Sequence, residues 1–187
     1  MEIAMADRSV HYEAAFEAFL RGRGIPYVAV DEAKRALFSN AKLKSFDFVV
    51  YSKAGRNLLL DVKGRQACSS ATVTTGAGSA GRSSRVASGS RASLQNWVQE
   101  QDVVDLEQWQ QVFGEGFTAV LAFVYWIDPP LTPEPGMFDF KDRWYWALGV
   151  EVDEYRNHMR RRSPKWGTVC LPAADFRELA RPIESWL

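Results

Sequence analysis

The sequence predicts a mixed α/β fold in which helices cover both faces of a central sheet. Three observations indicate it: an N-terminal segment with apolar residues at helical spacing, two apolar segments joined by a short glycine-containing loop, and later apolar strands that alternate with short helices. A chain of 187 residues with 47% hydrophobic residues is large enough for one closed core. We therefore expect a single domain over residues 1–187.

The first elements follow from local patterns. A helix is predicted over residues 7–23, because apolar side chains recur at helical spacing and Gly24 ends the pattern. Residues 25–30 are typical of a short strand, and Asp31 is suited to cap a brief helix that runs to residue 37. The chain therefore opens as helix, strand and short helix.

Two apolar strands are predicted next, over Phe46–Tyr51 and Asn57–Lys63. The loop of residues 52–56 contains Gly55, and its length and composition suit a hairpin. The two strands are therefore expected to pair antiparallel.

The segment from Gln66 to Ser93 differs from the rest of the chain. Ser, Thr, Ala and Gly dominate it, with scattered arginines and almost no large apolar residue. Such a segment buries too little surface to offset the entropy lost on ordering. It is interpreted as a flexible Gly/Ser-rich insertion at residues 66–93.

The rest of the chain is predicted to alternate strands and helices, with Pro129 to Pro135 marking a loop. Asp102 and Asp105 are interpreted as an acidic capping pair at the start of a helix. The predicted elements are a helix to residue 113, strands at 117–127 and 144–152, a helix at 153–162, a strand at 166–171 and a helix at 173–180. Residues 127–187 would thus form a C-terminal extension of the sheet with the order strand, helix, strand, helix.

Charge and cysteine usage exclude several classes of protein. The 23 basic and 23 acidic residues cancel, so any affinity for nucleic acid must be local. Cys68 and Cys170 are far apart and have no ligand-like spacing, so neither a zinc site nor a disulfide framework is indicated. The longest apolar run, residues 117–127, is too short to cross a bilayer, and no leader pattern precedes it. A cytoplasmic protein without membrane partners is expected.

Three polar residues of the predicted hairpin are candidates for a catalytic site. Asp61 and Lys63 lie at i and i+2, so both side chains project from one face of their strand, while Leu60 and Val62 take the other. If the hairpin forms, Asp47 approaches Asp61, and two carboxylates face one lysine. A carboxylate among apolar neighbours is costly unless it is paired or binds a cation. The ordinary alternative is a solvated strand end with a weak ion pair.

Two carboxylates held close together suit Mg²⁺, which keeps several waters and takes one or two carboxylates plus substrate phosphate. Such a metal acidifies a bound water and neutralises phosphate charge, and an adjacent ammonium orients the nucleophile. The pattern therefore favours phosphodiester hydrolysis, with Mn²⁺ as an alternative ion.

Asp47 followed by Asp61-Val62-Lys63 resembles the bipartite motif of the PD-(D/E)XK nuclease superfamily, and residues 8–126 resemble its core in element order. Two departures are Phe46 in place of the eponymous proline and Asp61 in place of the commoner glutamate. The archaeal Holliday junction resolvases are nearest, because they carry a first-helix glutamate about a dozen residues before a glycine.

The resemblance implies a restriction-endonuclease-like fold and an Mg²⁺-dependent nuclease of the PD-(D/E)XK type. Asp47, Asp61 and Glu13 would then bind the metal, with Glu17 as the rival for the helix position, and Lys63 would position the attacking water. DNA is the expected substrate. The alternatives are an RNA-directed or junction-selective nuclease, the latter implying a homodimer, and a non-catalytic nucleic-acid-binding module on the same fold.

Two further features are candidates for substrate contact. Arg65 and Gln66 directly follow the motif strand and are suited to bind the phosphate backbone, although loop-tip solvation explains them equally well. The insertion at residues 66–93 is either a basic arm that clamps nucleic acid or a solvated linker. A second group of basic residues, from Arg156 to Lys165, lies close to Trp166, a residue that packs in a core more often than it stacks on bases.

Overall fold

The computed structural model describes residues 6–30, 37–38, 41–53, 55–66, 94–130 and 133–187. Most of the predicted insertion, residues 67–93, and most of the predicted short helix, residues 31–36, lie outside this part of the chain. Leu37 does not end that helix, because residues 37–38 form a strand that pairs with residues 41–42.

The described strands are numbered in chain order. They are β1 (Tyr27–Ala29), β2 (Leu37–Phe38), β3 (Ala41–Lys42), β4 (Phe48–Val50), β5 (Asn57–Gln66), β6 (Val98–Gln99), β7 (Phe117–Ile127), β8 (Met137–Phe140), β9 (Arg143–Glu151), β10 (Arg160–Ser163), β11 (Thr168–Cys170) and β12 (Arg181–Pro182). The helices are α1 (Ala6–Gly22), α2 (Glu100–Phe113), α3 (Val152–His158) and α4 (Ala173–Leu179), and short 3₁₀ turns occupy Pro164–Trp166 and Ile183–Trp186.

The central sheet has the strand order β1-β4-β5-β7-β9-β12, and β8 pairs with the first half of β9. The predicted hairpin is confirmed, because β4 and β5 pair antiparallel with Phe48 opposite Leu60. β5 and β7 pair in parallel over ten residues, and the remaining pairs are antiparallel. Strand β5 therefore lies at the centre of a mixed sheet.

Alternation along β5 sends its side chains to two different cores. Leu58, Leu60 and Val62 face helix α1 and pack in a cluster with Phe16. Leu59 lies in the second cluster, on the face that α2, α3 and α4 cover. Asp61 and Lys63 alternate onto this second face, as predicted from their spacing.

Helix α1 comes unusually close to β5 at Gly64. A Cβ atom at this glycine would overlap the ring of Tyr12. Gly64 therefore permits a helix-to-strand distance that any side chain would prevent, and it fixes α1 beside the residues that follow Asp61.

The C-terminal region contains the predicted strand, helix, strand and helix as β9, α3, β11 and α4. The helix predicted to reach residue 162 ends at His158, and the arginines after it form β10. β10 pairs with β11, which pairs with β6 in a second sheet of three strands. The residue before Pro164 is disfavoured in a helix, and pairing with β11 satisfies the extended backbone instead. No helix in the described part of the chain has the length and apolarity needed to cross a membrane.

Candidate active site

Asp47 and Asp61 meet where β4 begins. The sequence predicts Asp47 inside its strand, but β4 begins one residue later, at Phe48. Asp47 is still hydrogen-bonded to β5. Its N–H donates to the Leu60 carbonyl at 2.9 Å, and its Oδ2 accepts from the N–H of Val62 at 2.5 Å. Both aspartates are buried.

Burial and mutual repulsion act on this pair of carboxylates. Burial raises the pKa of Asp47 well above its usual range, and the neighbouring charge of Asp61 raises it further. Burial also raises the pKa of Asp61, although Lys63 partly offsets this effect. Such a pair is destabilising in its ionised form unless positive charge lies near it.

Lys63 is the nearest cation, and two carboxylates share it. Its Nζ lies 2.7 Å from Asp61 Oδ2 and 2.7 Å from Asp102 Oδ2, and only 12% of its side chain is exposed. Burial lowers the pKa of Lys63, but the charges of Asp61 and Asp102 outweigh it and raise the pKa above the usual lysine range. Lys63 is therefore held as an ammonium ion.

Asp102 is the site residue that sequence reasoning missed. The sequence predicts that Asp102 and Asp105 cap a helix, but α2 begins earlier, with Gln99 at its N-cap, and Asp102 lies inside the first turn. Its Oδ1 accepts from Lys44 Nζ at 2.9 Å, so it contacts two lysines. Burial raises the pKa of Asp102, yet Lys63 and Lys44 lower it below its usual value. Asp105 instead binds the backbone N–H of Lys44 at 3.1 Å.

The helix glutamates occupy different surroundings. Glu17 Oε1 accepts from Arg21 at 2.7 Å and from the Tyr27 hydroxyl at 2.6 Å. Glu13 is half-buried, and its charge contributes to the raised pKa of Asp47. Of the two candidates, Glu13 is thus the one whose charge acts on the aspartate pair.

Arg65 and Gln66 do not lie in a loop, because β5 continues through both. Gln66 is exposed at the end of the strand. The Arg65 guanidinium donates to the carbonyls of Gly64 and Trp97 and lies 4.2 Å from the centre of the Trp97 ring. Its Nε is buried without a hydrogen-bond partner in the described structure. A role for either residue in substrate binding stays a prediction.

The donor set fits a magnesium ion held by two protein carboxylates. Within the described ranges, no group of three or more His, Cys, Asp or Glu side chains has an arrangement suited to a metal. Mg²⁺ usually takes only one or two carboxylates and completes its shell with water and phosphate. Asp47 and Asp61 offer hard oxygen donors that match this requirement, and burial raises the pKa of both carboxyl groups, so positive charge beside them is favourable.

No protein-family model and no curated protein matches the sequence. Among solved structures, the chain is similar to Hjc, a Holliday junction resolvase from the archaeal hyperthermophile Archaeoglobus fulgidus. The match covers 95% of this chain and 98% of the Hjc chain, with a TM-score of 0.51 and 14% sequence identity. The chain has a restriction-endonuclease-like fold. At this low identity the likeness concerns the fold alone, and it confirms the α/β class that the sequence predicts.

On the restriction-endonuclease-like fold of this chain, Asp47, Asp61 and Lys63 lie at the open end of the β4–β5 hairpin, away from the loop that joins the two strands. Asp102 adds a third buried carboxylate from α2. A nearby cavity at the β5–α2 junction is small, and Lys44, Phe46, Asp61 and Asp102 are among the residues that line it.

Proposed function

We propose that this protein is a metal-dependent nuclease that hydrolyses phosphodiester bonds in DNA. The pair of buried carboxylates, Asp47 and Asp61, beside the Lys63 ammonium carries the proposal. Replacing a buried charged group with an apolar one is often neutral or stabilising, so a folding role alone does not account for this grouping.

Each residue has a defined role in the proposed reaction. Asp47 and Asp61 would hold Mg²⁺, or Mn²⁺ in its place, and Glu13 would assist through its charge near Asp47. When bound, the ion would supply an acidified water and neutralise charge on the scissile phosphate. Lys63, kept protonated by its two acidic neighbours, orients the attacking water and stabilises the negative charge that develops on the phosphate.

DNA with a branched structure is the more specific substrate that we propose to test. Its support is the likeness of the fold to a Holliday junction resolvase, over nearly the whole length of both chains. A junction-selective enzyme would act as a homodimer in order to cut two strands. RNA cleavage and DNA binding without turnover are the competing outcomes.

The deciding experiment is cleavage of plasmid, linear, single-stranded and branched DNA and of RNA, with Mg²⁺, Mn²⁺ or EDTA. Wild-type protein is expected to cut DNA only with metal, and Lys63→Ala to abolish cutting. Lys53→Ala is the matched control, because Lys53 is an exposed lysine in the hairpin at the other end of β5.

Calorimetric titration with Mg²⁺ separates the enzyme from a non-catalytic module. The nuclease requires a metal site that Asp61→Asn removes. A folded wild-type protein that binds DNA, cuts none of the substrates and binds no metal would contradict the proposal.

A further inference from the structure

A basic surface lies on β10 and the turn that follows it, and the proposed nuclease mechanism does not use it. We call it the β10 surface and define it as Arg160, Arg161, Arg162, Lys165 and Trp166. All five residues are exposed, and Trp166, at 68%, is the most exposed large hydrophobic residue in the described structure. A solvated polar face does not require an exposed tryptophan beside its charged side chains, so the β10 surface needs a further explanation.

The cations of the β10 surface are available for a ligand. Among the described residues, none of its four basic side chains forms an ion pair, whereas Arg156 on the preceding helix is paired with Glu107. Lys165 Nζ lies 5.7 Å from the centre of the Trp166 ring. Arg156 therefore does not belong to the β10 surface, although the sequence groups it with the basic residues up to Lys165.

Protection of a sheet edge does not account for the whole surface. β10 is an edge strand, and charged side chains on edge strands prevent pairing with other molecules. A single charge serves that purpose, but here three consecutive arginines precede a lysine and an exposed tryptophan. An exposed tryptophan beside an edge strand favours association with other molecules, so it does not protect the edge. In proteins that bind nucleic acid, by contrast, exposed aromatic side chains stack on bases.

The β10 surface is connected to the candidate active site through Trp97. Arg162 lies 5.2 Å from the centre of the Trp97 ring, and Arg65 lies 4.2 Å from the same ring. Arg65 is two residues beyond Lys63 on the same strand, so the two side chains share a face. Positive charge is thus distributed from Lys63 through Arg65 to Arg162.

A second connection holds the β10 surface against α2. β11 pairs with β6, and the N–H of Glu100 donates to the Gly167 carbonyl at 2.8 Å, directly after Trp166. The same helix carries Asp102. The position of the β10 surface relative to Lys63 is therefore fixed by two sets of contacts.

We propose that the β10 surface binds the phosphate backbone of DNA next to the cleavage site, and that Trp166 stacks on an unpaired base. This inference rests on the proposed nuclease function. It gives the C-terminal extension a role in substrate binding, because its arginines are exposed and form no ion pair with any residue of the described ranges, and arginine binds phosphate bidentately.

The test is fluorescence anisotropy with labelled single-stranded and duplex DNA in EDTA, so that binding is measured without cutting. Arg160→Gln with Arg161→Gln is expected to weaken binding and to reduce the salt slope by about 2, roughly one for each lost phosphate contact. The matched control is Lys53→Gln with Arg56→Gln, which removes two exposed charges at the other end of β5. Unchanged affinity and slope in the arginine variant would overturn the proposal.

Trp166→Ala tests the stacking contact. Affinity for single-stranded DNA is expected to fall about fivefold or more, because base stacking on an aromatic side chain contributes at least that much. Tyr51→Ala is the control, since Tyr51 is an exposed aromatic residue beside the loop of the β4–β5 hairpin. Loss equal in both variants would overturn the role of Trp166.

The two proposals fail in different ways. If wild-type protein cuts DNA and the arginine variant binds as tightly as wild type, the nuclease stands and the β10 surface is excluded. If the arginine variant loses binding that Lys63→Ala retains, but no protein cuts any substrate or binds metal, the β10 surface is a DNA-binding surface and the nuclease is excluded.

Discussion

The Nζ atom of Lys63 lies 2.7 Å from Asp102 Oδ2, the same distance that separates it from Asp61 Oδ2. Asp61 precedes Lys63 on β5, whereas Asp102 reaches it from α2. A lysine between two fixed carboxylates has little rotational freedom, so Asp102 is a positioning residue for the ammonium group.

Asp102→Asn is therefore expected to reduce DNA cleavage by about tenfold, the equivalent of ~1.4 kcal/mol in the barrier. Because Asp102 raises the pKa of Lys63, its removal lowers that pKa. In the proposed reaction Lys63 acts as an ammonium ion, so the loss of activity at alkaline pH should begin at a lower pH in the variant. The measurement is the pH profile of cleavage.

Asp105→Asn is the matched control for this experiment. Asp105 is buried one turn later on α2, but it binds the backbone N–H of Lys44 and the side chain of Gln101, and not Lys63. An alkaline limb that shifts equally in both variants would show that Asp102 acts through the stability of α2 alone.

Asp102 also illustrates what could be predicted from the sequence. Asp61 and Lys63 were identified because strand alternation and a short hairpin are local properties. The contact between Lys63 and Asp102 spans 39 residues and includes the segment at 67–93, so it depends on how α2 docks against β5. An acidic residue near a helix start fits a capping pattern equally well, and only tertiary packing separates the two interpretations.

Dependence on tertiary contacts also explains why residues 160–162, predicted as helix, lie in strand β10. Arg156 and Arg160 lie four residues apart, which favours one face of a helix. The structure ends the helix at His158 and pairs Arg160 with Cys170. Strand pairing with a distant partner overrides a local helical pattern, because hydrogen bonds to β11 replace those of another helical turn.

Asp47→Asn is expected to raise the free energy of unfolding in EDTA at neutral pH, by an amount on the order of 1 kcal/mol. The variant removes a buried charge but keeps an oxygen that accepts from the Val62 N–H. Burial raises the pKa of Asp47 in the native state, so native protein binds more protons than unfolded protein between the ordinary value, about 3.9, and the raised one. Wild-type stability should therefore fall relative to the variant as pH rises through that window. Denaturant titrations at several pH values measure the difference.

With Mg²⁺ present, wild-type protein should become more stable than Asp47→Asn. In the proposed mechanism Mg²⁺ binds the folded site and not the unfolded chain, so it should raise the melting temperature of wild-type protein by an amount that grows with the logarithm of the Mg²⁺ concentration above Kd. Asp47→Asn lacks one of the two proposed ligands and should respond little. Equal stabilisation of both proteins by Mg²⁺ would mean that the ion binds elsewhere.

Gly64→Ala is expected to destabilise the protein by about 1–3 kcal/mol, because its methyl group would overlap the Tyr12 ring and force α1 away from β5. Gly116→Ala is the control, since a Cβ at Gly116 meets nothing within 4 Å. Urea unfolding measures both variants.

A double-mutant cycle with Tyr12→Ala separates this overlap from a general effect of the substitution. Removing the ring makes room for the methyl group, so the cost of Gly64→Ala should be smaller in the Tyr12→Ala background than in wild type. Because α1 also carries Glu13, whose charge acts on Asp47, its displacement by Gly64→Ala should weaken Mg²⁺ binding as well as folding. Additive costs in the cycle would contradict close packing at Gly64, and unchanged Mg²⁺ affinity in the folded variant would separate the position of α1 from the metal site.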